Sequence, residues 1–146
     1  MAIEKKSKKN TTSVNLSLRL DPRSKYLIDL MARHQKRTIT GVIEWAVERA
    51  GADAIFDIER GDSFLEVIDR LWSTDESVRL ANLAMARPDL LDYDELRIWE
   101  TIKASPDLWS TSGQLLYSTL QEEWDGLLEH VEQHRLSRAF KPYLIL

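Results

Sequence analysis

The chain has no cysteine, only five glycines and four prolines in 146 residues, and no apolar run of membrane-spanning length. The missing cysteine excludes disulfides and thiolate-held metal centres, and suits a reducing compartment. Glycine is too sparse for a phosphate-cradling loop. Neither a serine nucleophile elbow nor a carboxylate pair in a recognisable catalytic setting is present. The N-terminus is lysine-rich and lacks the apolar core of a signal peptide. These absences lead us to expect a cytoplasmic protein that is not an enzyme, uses no cofactor or metal, and has no membrane contact.

Hydrophobic residues make up 43% of the chain and charged residues 30%, a composition suited to a folded protein. The net charge of −4 conceals an uneven distribution. Residues 1–50 hold 11 Lys/Arg against 5 Asp/Glu, whereas residues 51–146 hold 9 against 19. A basic third joined to an acidic remainder implies one part that meets phosphates and one that does not.

Residues 1–12 read as a flexible basic arm, because Lys5, Lys6, Lys8 and Lys9 come without apolar periodicity. Either they only solubilise the chain or they contact phosphates. From Val14 the pattern changes. Val14, Leu16, Leu18 and Leu20 alternate with Asn15, Ser17 and Arg19, the signature of a strand with one apolar and one hydrogen-bonding face. A lone strand cannot satisfy its backbone. No comparable strand follows nearby, so the same strand of another copy is the expected partner. Two copies paired antiparallel form a ribbon that fits the major groove of double-stranded DNA.

Asp21-Pro22 then opens a helix running to about Gln35, with Asp as N-cap and Pro at the first helical position. Tyr26, Leu27, Leu30 and Met31 form its apolar stripe. After Lys36-Arg37, Thr38 or Thr40 caps a second helix, in which Ile39, Val42, Ile43, Ala46, Val47 and Ala50 follow helical spacing and Gly51 is the expected stop.

Strand, helix, short turn and helix over Ser13–Gly51 resemble the ribbon-helix-helix superfamily of Arc and methionine repressors. The resemblance lies in order and spacing, in the alternating strand ending Arg-Leu-Asp-Pro and in Arg-Thr-Ile-Thr-Gly-Val-Ile after the first helix. It implies an intertwined homodimer with a core of Val14, Leu16, Leu18, Leu20, Leu27, Leu30, Ile43 and Val47. It puts Asn15, Ser17 and Arg19 at the base-reading positions. Thr38, Thr40 and Gly41 fall where amides at the second helix's N-terminus hold a DNA phosphate, as unsatisfied donors and the helix dipole favour. The turn departs from many relatives in having Lys36-Arg37 where they carry Gly.

Residues 52–146 read as an all-helical acidic domain, so the expected fold class is mainly α. Helices are expected around Phe64–Trp72, from Ser73-Thr74-Asp75-Glu76 as N-cap and acidic first turn, from Asp92-Tyr93-Asp94-Glu95, and from Ser110-Thr111-Ser112 through Val131. Ala86-Arg87-Pro88-Asp89-Leu90 recurs as Ala104-Ser105-Pro106-Asp107-Leu108, which shared helix-boundary chemistry largely explains. Trp72, Trp99 and Trp124 sit on apolar stripes and read as core anchors. Trp45 lies off the stripe of its helix and reads as an interdomain dock. His130 and His134 are four apart, but no third metal ligand is placed, so they read as a solvated helix end.

The expected function is a sequence-specific DNA-binding transcriptional regulator, a repressor, whose acidic domain serves oligomerisation beyond the dimer, a protein partner or a signal. The alternatives are an antitoxin whose extension binds a toxin, and an accessory protein of plasmid partition or conjugation.

Overall fold

The structure, a computed structural model, describes residues 13–146. It is mainly helical, with one small two-stranded sheet. The chain divides into two compact units, Met1–Ala50 and Gly51–Leu146.

In the first unit, Pro22–Gln35 forms α1 and Ile39–Asp53 begins α2. Asp21 caps α1 by accepting from the Ser24 N–H at 3.0 Å, and Pro22 occupies the first turn. The turn between the helices rests on Lys36, which adopts the left-handed conformation (φ 52°) where glycine is the usual choice. The Arg37 N–H reaches back to the Ala32 carbonyl at 3.0 Å, closing the loop over the end of α1. Arg37 can follow directly because Lys36 bears the strain. α2 does not stop at Gly51 but continues to Asp53. Glycine lowers helix propensity without forcing an exit, and Gly51 instead lies where an added Cβ would meet Leu65 at ordinary contact distance.

The second unit is not all helical. Ile55–Asp57 (β1) and Asp62–Ser63 (β2) pair antiparallel. Gly61 turns the hairpin at φ 74°, and the Asp57 carboxylate accepts from the amides of Glu59 and Arg60. Strands of three and two residues carry too little alternation to be read from sequence. Phe64–Leu71 (α3) follows, with a reciprocal cap in which Ser63 and Glu66 each bond the other's backbone. Its inward residue is Val67, and Phe64 meets Phe56 edge-on at 5.1 Å. Trp72, expected in the core, is exposed with the Arg79 guanidinium over its ring. It falls just beyond the end of α3, so the stripe that placed it inward no longer governs its direction.

Glu76–Ala86 (α4) and Tyr93–Ala104 (α5) are capped by Asp75 and Asp92; α4 starts within the expected Ser73–Glu76 run, but Asp75, read as part of the acidic first turn, is its cap. Each is followed by a 3-10 turn of the same sequence, Pro88–Leu90 and Pro106–Leu108, so the recurring Pro-Asp-Leu is one local structure used twice. The expected long last helix is two short ones, Tyr117–Glu122 (α6) and Trp124–Gln133 (α7). Ser110–Ser112 does not start it. Those residues turn the chain at Gly113 (φ 81°) so that Trp109 bridges to Leu115. Ile102, Leu108, Leu120 and Leu127 are withdrawn from solvent at the centre of this unit, with Trp99 and Trp124 beside them.

Candidate nucleic-acid interface

Residues 13–20 enter no sheet in the single chain, so the expected strand is not formed as one. A strand is defined by its ladder, and this segment meets no partner among the described residues. Asn15, Ser17 and Arg19 are exposed, but so are Val14, Leu16, Leu18 and Leu20, with Val14 retaining 89% of its accessible surface.

The structure brings some of the proposed dimer-core residues together. Leu16, Leu18 and Leu20 line one open groove of about 370 Å³ with Ile28 of α1 and Ile39 and Ile43 of α2. Leu27 and Leu30 line a different groove, beside Tyr26 and the Asp21–Ser24 cap. Val47 is two-thirds exposed on α2. Of the described residues of this unit, Ala32 and Val42 are the buried apolar ones. Met31 and Ile43 are half-buried. The apolar stripes of α1 and α2 therefore exist, with much of their area uncovered.

At the start of α2, the Thr38 hydroxyl accepts the Gly41 N–H at 3.0 Å, and the Thr38 carbonyl accepts the Val42 N–H at 3.0 Å. Gly41 leaves room for that cap, because a Cβ there would come within 3.3 Å of the Thr38 hydroxyl. The Gly41 amide is thus already satisfied by Thr38, so any anion at this terminus has to meet the amides before it. Thr38 and Thr40 are exposed, as are Lys36 and Arg37 in the adjoining turn. Trp45 is half-buried on α2. Lys5, Lys6, Lys8 and Lys9 lie outside the described residues.

The electrostatics of this unit are those of solvated groups. Lys25 pairs with Asp29 at 2.7 Å one turn away. The Asp21 carboxyl is held below the usual carboxylate range, first by the Ser24 hydroxyl and then by the Ser24 amide. No group of three or more metal-ligating side chains occurs among the described residues, and none of their helices is long and apolar enough to cross a membrane.

His130 and His134 are not simply solvated. Their rings lie 4.4 Å apart; His130 Nε2 is 2.9 Å from the Lys141 carbonyl, and His134 Nδ1 is 2.9 Å from the His130 carbonyl. Residues 141–146 return along this side of the unit, a feature the helical reading missed. Its available signal was Pro142 followed by Tyr-Leu-Ile-Leu, too short to distinguish a strand from a tail.

Compared with models of protein families, with curated proteins and with solved structures, the chain matches none.

Proposed function

We propose that residues 13–51 form a ribbon-helix-helix module and that the protein is a sequence-specific DNA-binding regulator, acting as a repressor. The observation that carries this reading is the segment before α1. Its apolar Val14, Leu16, Leu18 and Leu20 stay exposed in the single chain, alternate with Asn15, Ser17 and Arg19, and run directly into a capped helix, a tight turn and a second helix. Pairing with the same segment of a second copy satisfies the backbone and buries the leucines against the groove of α1 and α2. The opposite face then doubles the Asn, Ser and Arg set for the major groove of double-stranded DNA.

Arg19 matches the bidentate donor geometry for guanine, while Asn15 and Ser17 offer donor and acceptor groups to base edges. The start of α2, with Thr38 and Thr40 beside Lys36 and Arg37, suits a backbone phosphate, and Lys5, Lys6, Lys8 and Lys9 suit others. The acidic unit carries the opposite sign and is fitted to oligomerisation, a partner or a signal rather than to phosphates. Its buried core favours an independently folded regulatory region over the short extension typical of an antitoxin.

The test is selection of DNA fragments from a random pool at fixed salt, followed by binding of the selected site. A repeated half-site, bound by the unaltered chain and lost as a preference in Arg19→Ala, is the expected result. A chain that enriches no sequence refutes sequence-specific reading by the ribbon, and with it the regulator.

A further inference from the structure

The segment at residues 141–146 belongs to no helix or sheet, yet it is held as a recognised peptide would be. Tyr143 and Ile145 pack against the buried cluster of the acidic unit, while Leu144 and Leu146 between and beyond them face solvent. The backbone is read at the two inward residues. Tyr143 N–H donates to Ser105 Oγ at 2.8 Å, and Ile145 N–H donates to Asp107 Oδ2 at 2.9 Å. Ser105 is itself fully buried, and its hydroxyl donates on to the Thr101 carbonyl. The Tyr143 hydroxyl donates to Glu123 at 2.7 Å.

One residue of the groove leaves room for the tyrosine. Gly126 lies inside α7, where glycine is a poor helix former. A Cβ there would stand 2.5 Å from the Tyr143 hydroxyl oxygen. The glycine thus keeps a slot for the ring. By contrast, the connection to this segment is lightly held. Beyond Arg135, which pairs with Asp94 and Glu132, Leu136 is almost wholly exposed and Phe140 is 44% exposed, with one turn bond from Ser137 N–H to the His134 carbonyl and the Arg97 guanidinium 5.8 Å from the Phe140 ring. A well-defined socket joined to its plug through a loose hinge is the arrangement from which segments exchange between copies.

We propose that the groove formed by Ser105, Asp107, Glu123 and Gly126 is a binding site for an extended Tyr-x-aliphatic peptide, and that in trans it takes residues 141–146 of a second copy. Every copy carries a segment already shaped and hydrogen-bonded to this socket, which makes a second copy the best-matched partner. Opening at residues 136–140 supplies the reach, since about five residues span roughly 17 Å when extended. The exchange joins acidic units to one another without using residues 13–51, so it stands independently of DNA binding.

The experiment titrates a fluorophore-labelled peptide of residues 137–146 into the chain ending at Phe140 and follows anisotropy. Saturable binding of one peptide per chain is expected. The affinity should fall at least tenfold for a Tyr143→Ala peptide, and at least tenfold when the receiving chain carries Gly126→Ala. The full-length chain should bind the peptide at least tenfold more weakly, because its own segment competes at an effective concentration on the order of millimolar. If the shortened chain does not fold, full-length Tyr143→Ala replaces it as the receiver. No saturable binding by a folded receiver, or equal binding of the altered peptide, overturns the site.

Exchange between copies is read separately, exploiting the absence of native cysteine. Full-length Asp107→Cys and full-length Ile145→Cys are mixed and oxidised. A crosslink between the two variants at least tenfold above either homodimer, and lost when Tyr143→Ala is added, is expected. Crosslinking no greater than the homodimers overturns the second copy as occupant.

Discussion

In Gly51–Leu146, Ile102, Leu108, Leu120 and Leu127 have no exposed surface, whereas the described part of Met1–Ala50 buries only Ala32 and Val42 among its apolar residues. Both regions have helices with side-chain caps and apolar stripes, so local propensity does not separate them. Closure does. The acidic unit folds its stripes onto one another through two 3-10 turns and the returning segment at 141–146. The described part of the N-terminal unit has two helices and a segment in no sheet, too few elements to cover Leu16, Leu18, Leu27 and Val47. Under the proposed dimer, one region owes its stability to its own sequence and the other to a second copy.

The largest expected effects test that division. Leu18→Ala removes a leucine that the proposed dimer buries once per copy, at about 2–5 kcal/mol per site. The dimer should dissociate at concentrations where the unaltered chain remains paired, as read by light scattering. At concentrations low enough that residues 141–146 stay in their own chain's socket, Leu120→Ala should cost about 2–5 kcal/mol in the acidic unit without making its unfolding depend on concentration. Thermal melts at two protein concentrations distinguish the cases, because only an association-coupled transition moves with concentration. If both transitions are concentration-independent, the N-terminal unit is stable alone and the contrast fails.

A second effect separates reading from holding on the N-terminal unit. Arg19→Ala is expected to cost about 1–3 kcal/mol of discrimination between operator and unrelated DNA. Neutralising Lys5, Lys6, Lys8 and Lys9 should weaken binding to all sequences alike and flatten its salt dependence. Competition binding at several salt concentrations checks both. The reverse pattern, with specificity residing in the lysines, removes the ribbon from the groove.

A smaller contrast is expected in acid. Glu66, Asp75 and Asp89 of the acidic unit have depressed pKa values, caused chiefly by hydrogen bonds from Ser63, Ser77 and Arg87 respectively. In the N-terminal unit Asp21 is the corresponding case. A depressed folded pKa means stability that is present above the unfolded values of 3.8 to 4.5 and lost as pH falls through the lower folded ones. Melting followed from pH 6 to pH 3 should therefore show both units weakening, the acidic unit through more groups. Asp75→Asn should make its region less sensitive to acid than the unaltered chain.

How far these features were legible depended on the range of the interaction. Asp21-Pro22, the Ser73–Glu76 run and Asp92 announce helix starts because cap bonds join residues three apart, and the structure has helices starting at all three, with Asp75 as the cap in the second. The alternation from Val14 to Leu20 was equally plain, yet the single chain forms no sheet there, and under the proposed ribbon its partner is another chain. Trp72 was misplaced because helical periodicity ceases to orient a side chain once the helix ends. The hairpin at 55–63 and the socket for Tyr143 were hidden for a different reason. Gly126 and Tyr143 are 17 positions apart, and Ser105 and Tyr143 are 38 apart, so no local pattern links them.

The smallest expected effect lies in the turn between α1 and α2. Lys36 is the one non-glycine residue with positive φ among the described residues. For an L-residue with a Cβ, the left-handed region costs roughly 1–2 kcal/mol, which glycine avoids. Glycine also gives the unfolded chain more freedom, which takes back part of that gain. Lys36→Gly should therefore stabilise the N-terminal unit by no more than about 1 kcal/mol, seen as a slightly higher melting midpoint at fixed concentration. The same change removes an exposed cation beside the start of α2. If this turn holds a phosphate, DNA affinity should fall for all sequences alike while stability rises. Higher stability with unchanged affinity at every salt concentration would separate Lys36 from the phosphate contact and leave Thr38, Thr40 and the neighbouring amides to make it.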